Sequence, residues 1–120
     1  MSSKIKHQKQ YEKNKKLLST NTFDIDQTIY YDWMITIMFY CSLHLVEKYI
    51  GDKTGNHKMK HYQRNNYVNR DVSLKNIKDE YSVLYSESIR ARYECAKITK
   101  EDVAFVKTML QRIENELVNY

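Results

Sequence analysis

Proline is absent from this sequence of 120 residues, and glycine occurs only twice. Because both residues destabilise helix interiors and favour turns, their scarcity favours long helices and argues against turn-rich β structure. Apolar residues make up 42% and charged residues 29%, a balance typical of a folded chain rather than a disordered one. The length fits a single domain over residues 1–120 with one core.

Cysteine is also scarce, since Cys41 and Cys95 are the only two, and they do not form a C-x-x-C pair. Both lie within apolar helical patterns, where a free cysteine behaves as a small hydrophobe. The N-terminal residues are too polar for a signal peptide. Together these features predict a cytoplasmic protein with reduced thiols.

A long apolar run is present only once, from Ile29 to Val46. It contains Asp32 and His44, whose charge and imidazole would be costly in lipid. A helix at the centre of a bundle is also apolar nearly all round. We therefore interpret this run as a buried bundle helix and expect no membrane span.

Positive charge is concentrated in two segments, although the net charge is only +5. Residues 1–19 carry six lysines against Glu12, and residues 72–120 balance with eight basic and eight acidic residues. The second basic segment, residues 51–70, carries Lys53, Lys58, Lys60, Arg64 and Arg70 against Asp52. Clustered charge suits a polyanion such as RNA or DNA, or a membrane surface, and a solvated lysine face gives the same pattern.

The spacing of apolar residues predicts an all-α fold, an antiparallel up-and-down bundle of four to five helices. A first, weakly patterned basic helix is expected over residues 3–19. A second helix is expected over residues 27–50, with Asp24 or Asp26 as its N-cap. Gly51 stands where a left-handed residue would end that helix.

Three more helices follow in the pattern. The third is expected over residues 57–70, and the fourth begins with Ser73 as cap and ends near Cys95. The predicted core face of the fourth helix is Leu74, Ile77, Tyr81, Leu84, Ser88, Ala91 and Cys95. Thr99 and Asp102 resemble a capping box at the start of the last helix. Its predicted core seam is Val103, Val106, Leu110, Ile113 and Leu117.

Two helical faces carry the residues best suited to chemistry. On the second helix the face consists of Trp33, Tyr40, His44 and Glu47. On the third it consists of His57, His61, Arg64, Asn65 and Val68. His44 lies among apolar neighbours, so its imidazole needs a partner, and Glu47 one turn on is the local candidate. A satisfied structural histidine and a site residue are both open readings of His44.

Metal chemistry has little support in these faces. The pair His44-x-x-Glu47 occurs once and in the reverse order of the di-iron motif, and no Glu accompanies His57 and His61. We therefore predict no metal and no cofactor. RNA supplies its own nucleophile, the 2′-hydroxyl, and a site for it needs acid–base groups and a cation. His61 and Arg64, one turn apart, would provide both.

Three runs, in order, carry a family resemblance. The run Asp32-Trp33-Met34-Ile35-Thr36, continued by Phe39-Tyr40 and Leu43-His44-Leu45-Val46-Glu47, resembles the second helix of HEPN-type domains. The run His61-Tyr62-Gln63-Arg64-Asn65 resembles the H-x-x-R-N stretch of small stand-alone members. The run Ser88-Ile89-Arg90-Ala91-Arg92-Tyr93 resembles their S-x-x-A-R-Y stretch. The three runs span about residues 30–95.

This resemblance implies a bundle of four or five helices, often a homodimer. It implies a metal-independent ribonuclease of a toxin, defence or RNA-processing system. Some members of the family only bind RNA or nucleotides, and others are partners of nucleotidyltransferases. For such a site we predict Arg64 to hold the scissile phosphate and His61 to act as acid or base, and the other predicted catalytic residues, His44 and Glu47, to support them from the facing helix. The predicted substrate-binding residues are Asn65, His57, Arg92 and Tyr40.

The chain departs from the family pattern at one place. Catalytic members usually have a histidine after the arginine, whereas none follows among residues 66–73. A ribonuclease and a degenerate RNA binder therefore both fit the resemblance. The alternatives are a helical dimerisation module that acts as a partner, antitoxin or inhibitor, and a small-nucleotide binder.

Overall fold

Five α-helices and no β-strand form the part of the chain that the computed structural model describes, residues 3–57 and 59–120. The helices are α1 (Ser3–Leu18), α2 (Tyr31–Thr54), α3 (His61–Arg70), α4 (Lys78–Tyr93) and α5 (Lys100–Leu117). The predicted all-helical fold is therefore confirmed. Lys58, counted above in the second basic segment, lies outside the described residues. Within the described ranges no helix is both long and apolar enough to cross a membrane.

Helix α2 is the centre of the bundle, as its apolar composition predicted. It is buried on nearly all sides, and α1, α4 and α5 pack against it. Its largest fully buried side chains include Phe39, Ile35, Leu45 and Ile50. A helix surrounded in this way has little solvent-exposed surface, which explains why its sequence resembles a membrane span.

Contacts between the helices define their directions. Residues 7 and 8 of α1 contact residues 44 and 48 of α2, and Leu18 shares a cavity with Met34, so α1 and α2 are antiparallel. Arg92, near the end of α4, reaches Tyr40 in the first half of α2. Tyr81, near the start of α4, interacts electrostatically with Glu47 in the second half, so α4 is also antiparallel to α2.

The last helix follows its predicted pattern closely. All five seam residues are buried: Val103, Val106, Leu110, Ile113 and Leu117. The predicted capping box is also confirmed, because the Thr99 hydroxyl accepts from the Asp102 N–H and the Asp102 carboxylate accepts from the Thr99 N–H. Both features are local, so the sequence alone was sufficient to predict them.

The predicted boundaries of α2 were wrong at both ends. Neither Asp24 nor Asp26 is its N-cap, which is Tyr30. The carboxylate of Asp24 instead accepts a hydrogen bond from the Asp26 N–H within the preceding loop, a turn that competes with helix capping. At the other end the helix continues through Gly51 to Thr54, and Gly55 takes the left-handed position with φ 75°.

The third and fourth helices are shorter than predicted. α3 begins at His61, so His57 precedes it rather than belonging to it. Ser73 lies in a 3₁₀ turn, Val72–Leu74, because its N–H bonds to the Asp71 carboxylate and α4 starts only at Lys78. Cys95 lies beyond the end of α4, exposed and at φ 49°, and therefore does not join the core face.

Gly51 has a packing role in place of the predicted helix-ending one. A Cβ atom at this position would lie 1.8 Å from Cε1 of His57. The His57 ring also stacks on the ring of His7, with ring centroids 5.5 Å apart and an interplanar angle of 26°. The absence of a side chain at Gly51 therefore lets the segment before α3 lie against α2.

We predict that Gly51→Ala destabilises the protein by about 1–3 kcal/mol, because the new methyl group displaces the His57 ring. In a His57→Ala background the same change should stabilise it by up to about 1 kcal/mol, since alanine is the better helix former. Urea unfolding of the four proteins measures both values. The same sign in both backgrounds would contradict this account.

Candidate functional site

A buried ion pair joins α2 to α3. Nε of Arg64 lies 2.6 Å from Oε1 of Glu47, and the two side chains are only 7% and 3% exposed. Nη2 of Arg64 also donates to the carbonyl oxygen of Met59, at 2.6 Å, in the segment before α3. Arg64 therefore uses its guanidinium to hold α3 and the preceding residues against the central helix.

His61 is oriented by the same guanidinium. Nη1 of Arg64 lies 3.1 Å from Nδ1 of His61. Because an arginine always donates, Nδ1 must accept, and the imidazole proton is assigned to Nε2. Burial lowers the pKa of His61, and the charges of Arg64 and Arg92 lower it further. His61 is therefore a neutral imidazole at neutral pH, with an N–H on the side away from Arg64.

The other three histidines of the chain form a cluster beside this pair. Nδ1 of His7 lies 3.0 Å from Nδ1 of His44, and the His7 ring stacks on His57. Burial, with smaller contributions from His7 and Arg64, lowers the pKa of His44 to about 4. Burial also lowers the pKa of His7. At least one of the two Nδ1 atoms must be unprotonated to accept this hydrogen bond, and the lowered pKa values favour that state.

The hydrogen-bond partner of His44 differs from the local candidate. His44 bonds to His7 on α1, whereas Glu47 is engaged by Arg64. The sequence analysis missed His7 altogether. The sequence contains only a weak indication of this contact. His7 lies one turn before Tyr11, the buried residue of α1, but the apolar pattern of this helix is poor.

Next to His61 lies a group of aromatic rings around a second arginine. Nη1 of Arg92 donates to the Tyr40 hydroxyl at 3.0 Å, and its Nε and Nη2 bond to the carbonyl and hydroxyl oxygens of Ser88. The Arg92 guanidinium lies 5.5 Å from the ring centroids of Phe39 and Tyr40 and 5.0 Å from that of Tyr93. It is thus fixed in place by hydrogen bonds and cation–π contacts.

Phe39 connects the two halves of this region. Its ring centroid lies 5.9 Å from that of His61, and it also contacts Arg92. Tyr85 packs against both Phe39 and His61. We call the surface over the buried Phe39 the His61–Arg92 surface, and its members are His61, Tyr85, Tyr40, Arg92 and Tyr93.

Four buried side-chain atoms lack a hydrogen-bond partner within the described residues: Oε2 of Glu47, Nδ1 of His57, Oδ1 of Asn65 and the hydroxyl of Tyr81. The Tyr81 side chain is 1% exposed, and burial raises the pKa of its hydroxyl while the nearby Arg64 acts to lower it. Burial raises the pKa of Glu47, against the opposing pull of Arg64. Tyr81 was predicted as a plain core residue, and its spacing gave no sign that its hydroxyl would lie near a charge.

The remaining predicted site residues are placed separately. Asn65 is half-buried and lines a cavity of about 130 Å³ with Tyr81 and Tyr85. Trp33, on the predicted face of α2, is 56% exposed and lies beyond Tyr40 towards the start of the helix. The structure therefore brings His61, Arg64, Glu47 and His44 into one cluster, with Tyr40 and Arg92 beside it.

No group of three or more His, Cys, Asp or Glu residues in the described ranges has a geometry suited to a metal ion. The chain matches no protein-family model, no curated protein and no solved structure. The HEPN assignment therefore stays a resemblance of motifs.

We predict that Arg64→Ala lowers the free energy of unfolding by about 3–5 kcal/mol, because it leaves Glu47 buried without its partner. The Lys100–Asp26 pair, whose side chains are 52% and 63% exposed, supplies the control, since Lys100→Ala should cost far less than Arg64→Ala. Replacing both Arg64 and Glu47 with methionine should recover most of the loss. Chemical unfolding measures all three, and an equal cost for the two single variants would contradict the role of the buried pair.

The histidine cluster predicts a pH dependence of stability. The folded pKa of His44, about 4, lies below its unfolded value of about 6.5, so the unfolded state binds more protons between these values. Stability should therefore be complete above about pH 6.5 and fall as the pH drops towards about 4. The fall in stability between about pH 6.5 and about pH 4 should be shallower in the His44→Gln variant. Urea titrations of both proteins from pH 7 to pH 4 test this, and parallel curves would refute it.

Proposed function

We propose that this chain is an RNA-directed domain of HEPN-like architecture, and that single-stranded RNA binds across the His61–Arg92 surface. The observation that carries the proposal is the 3.1 Å contact between Nη1 of Arg64 and Nδ1 of His61, which assigns the N–H of His61 to Nε2, away from Arg64. His61 lies beside the guanidinium of Arg92, which is stacked among aromatic rings. The surface therefore offers hydrogen-bond donors for phosphate oxygens together with rings on which bases can stack.

RNA fits these groups for two reasons. Phosphate oxygens accept hydrogen bonds from imidazole and guanidinium N–H groups, which position the strand. Unpaired bases stack on tyrosine rings and on arginine planes, and Tyr93, 69% exposed, provides such a ring. The lysines of α1 and the net charge of +5 add a long-range attraction for a polyanion.

The same geometry supports recognition of RNA more than its cleavage. Attack by the 2′-hydroxyl needs a base with a free lone pair and an acid with a proton to release. The Nδ1 lone pair of His61 already accepts a hydrogen bond from Arg64 and is not free to act as a base. If Nδ1 were protonated, its N–H would point at the positively charged guanidinium, which disfavours the form that could act as an acid. Arg64 itself is buried and bonds to Glu47 and Met59, so we assign it a positioning role rather than a catalytic one.

We predict that His61→Ala and Arg92→Ala each weaken RNA binding by about tenfold, the value of one hydrogen bond to a charged group. His61→Gln should retain most of the affinity, because its amide N–H can replace Nε2–H. The control for a general loss of positive charge is Lys107→Ala, because Lys107 is exposed on α5. Fluorescence anisotropy with a labelled single-stranded RNA gives the affinities.

If wild-type protein binds no RNA, the proposal fails, and a dimer found by light scattering would then favour the interaction module. The homodimer implied by the resemblance is checked by the same measurement. Incubating the bound RNA with and without chelator tests cleavage, and we expect intact RNA in both. Products ending in a 2′,3′-cyclic phosphate, lost in His61→Ala, would instead support the ribonuclease reading.

A further inference from the structure

A second polar site lies on α2, one residue beyond Glu47. Lys48 is 2% exposed, and its Nζ donates to Oε1 of Gln8 at 2.7 Å and to the carbonyl oxygen of Val118 at 3.1 Å. Both acceptors are neutral. Within the described ranges, Lys48 forms no ion pair with a carboxylate. A buried ammonium with only neutral partners is an unusual arrangement, because its charge is poorly compensated.

The number of N–H groups that Lys48 has left for a ligand follows from its hydrogen bonds. An ammonium has three N–H groups, and the described residues accept from two of them. Burial lowers the pKa of Lys48, the nearby Lys4 lowers it further, and Glu12 acts in the opposite direction. An anion that accepted the third N–H would supply a directly bonded negative charge, whereas Glu12 forms no ion pair with Lys48 among the described residues.

Lys48 is one of the residues that line an open cavity of about 370 Å³. It lies against the face of α1 that carries Gln8, whereas the histidine cluster contacts the neighbouring face through His7. Its walls include the apolar side chains of Ile5 and Val118 and the ring of Tyr120. The charged groups along it are Lys4, Lys9, Glu12 and Lys48.

We propose that this cavity binds a small organic anion, a single carboxylate on a short apolar body, with the carboxylate accepting from Nζ of Lys48. The apolar walls suit the body of such a ligand, and Lys9 adds positive charge at the edge. Glu12 disfavours anions with several charges, because one of their charges would face its carboxylate. The site is independent of the RNA-binding proposal, since it shares none of the residues of the His61–Arg92 surface.

Benzoate is the probe that tests the proposal, with chloride at equal ionic strength as the reference. Benzoate should raise the Tm of the wild-type protein saturably, by about 3–6 °C at ten times its Kd. Lys48→Met keeps the apolar stem and removes the ammonium, so the shift should disappear. Lys13→Met, exposed on α1 and outside the cavity, should retain the full shift. An equal shift in Lys48→Met and wild type would overturn the site.

Two further measurements address the ligand class and the folding of the variant. Inorganic phosphate should give a smaller shift than benzoate, and an equal or larger one would contradict the monocarboxylate assignment. If Lys48→Met does not fold, NMR of wild-type protein with labelled lysine side chains replaces it. The Lys48 signal should then move with benzoate while that of Lys13 stays, and a stationary Lys48 signal would refute the proposal.

Discussion

The buried pair Glu47–Arg64 is the interaction on which the rest of the site depends. Helix α3 has ten residues and buries only Arg64 and Val68, so apolar packing contributes little to its attachment to the bundle. The ion pair and the hydrogen bond to the Met59 carbonyl oxygen attach it instead. Because the same guanidinium also bonds to His61, the attachment of α3 and the orientation of the imidazole cannot be separated.

The positive charge of Arg64 adds to the effect of burial on three nearby histidines, His7, His44 and His61. Both lower the pKa of these side chains, and burial has the larger effect. Neutral rings can pack in contact, whereas imidazolium rings would repel one another and the guanidinium. The contact of α1 with α2 through His7 and His44 therefore requires at least one of the two Nδ1 atoms to stay unprotonated, which couples the docking of a helix to local electrostatics.

Most of the fold could be predicted because its signals are local or periodic. The seam of α5, the capping box at Thr99 and the apolar α2 all follow from the spacing of residues within one helix. The pairing of the faces that carry Glu47 and Arg64 was also visible, since both had been singled out as site residues. Helix ends were less predictable, because turns such as that of Asp24 compete with caps through short-range bonds.

What the sequence could not reveal are contacts between polar groups on separate helices. Helix α1 is the clearest case, because only Tyr11 among its residues is buried and its apolar pattern is weak. It docks instead through Lys15 to Glu114 on α5, through His7 to His44, and through Gln8 to Lys48. Hydrophobic periodicity detects apolar stripes alone, so a helix held by polar contacts leaves no such signal. Two different faces of α1 therefore border two separate polar sites, the histidine cluster through His7 and the cavity at Lys48 through Gln8.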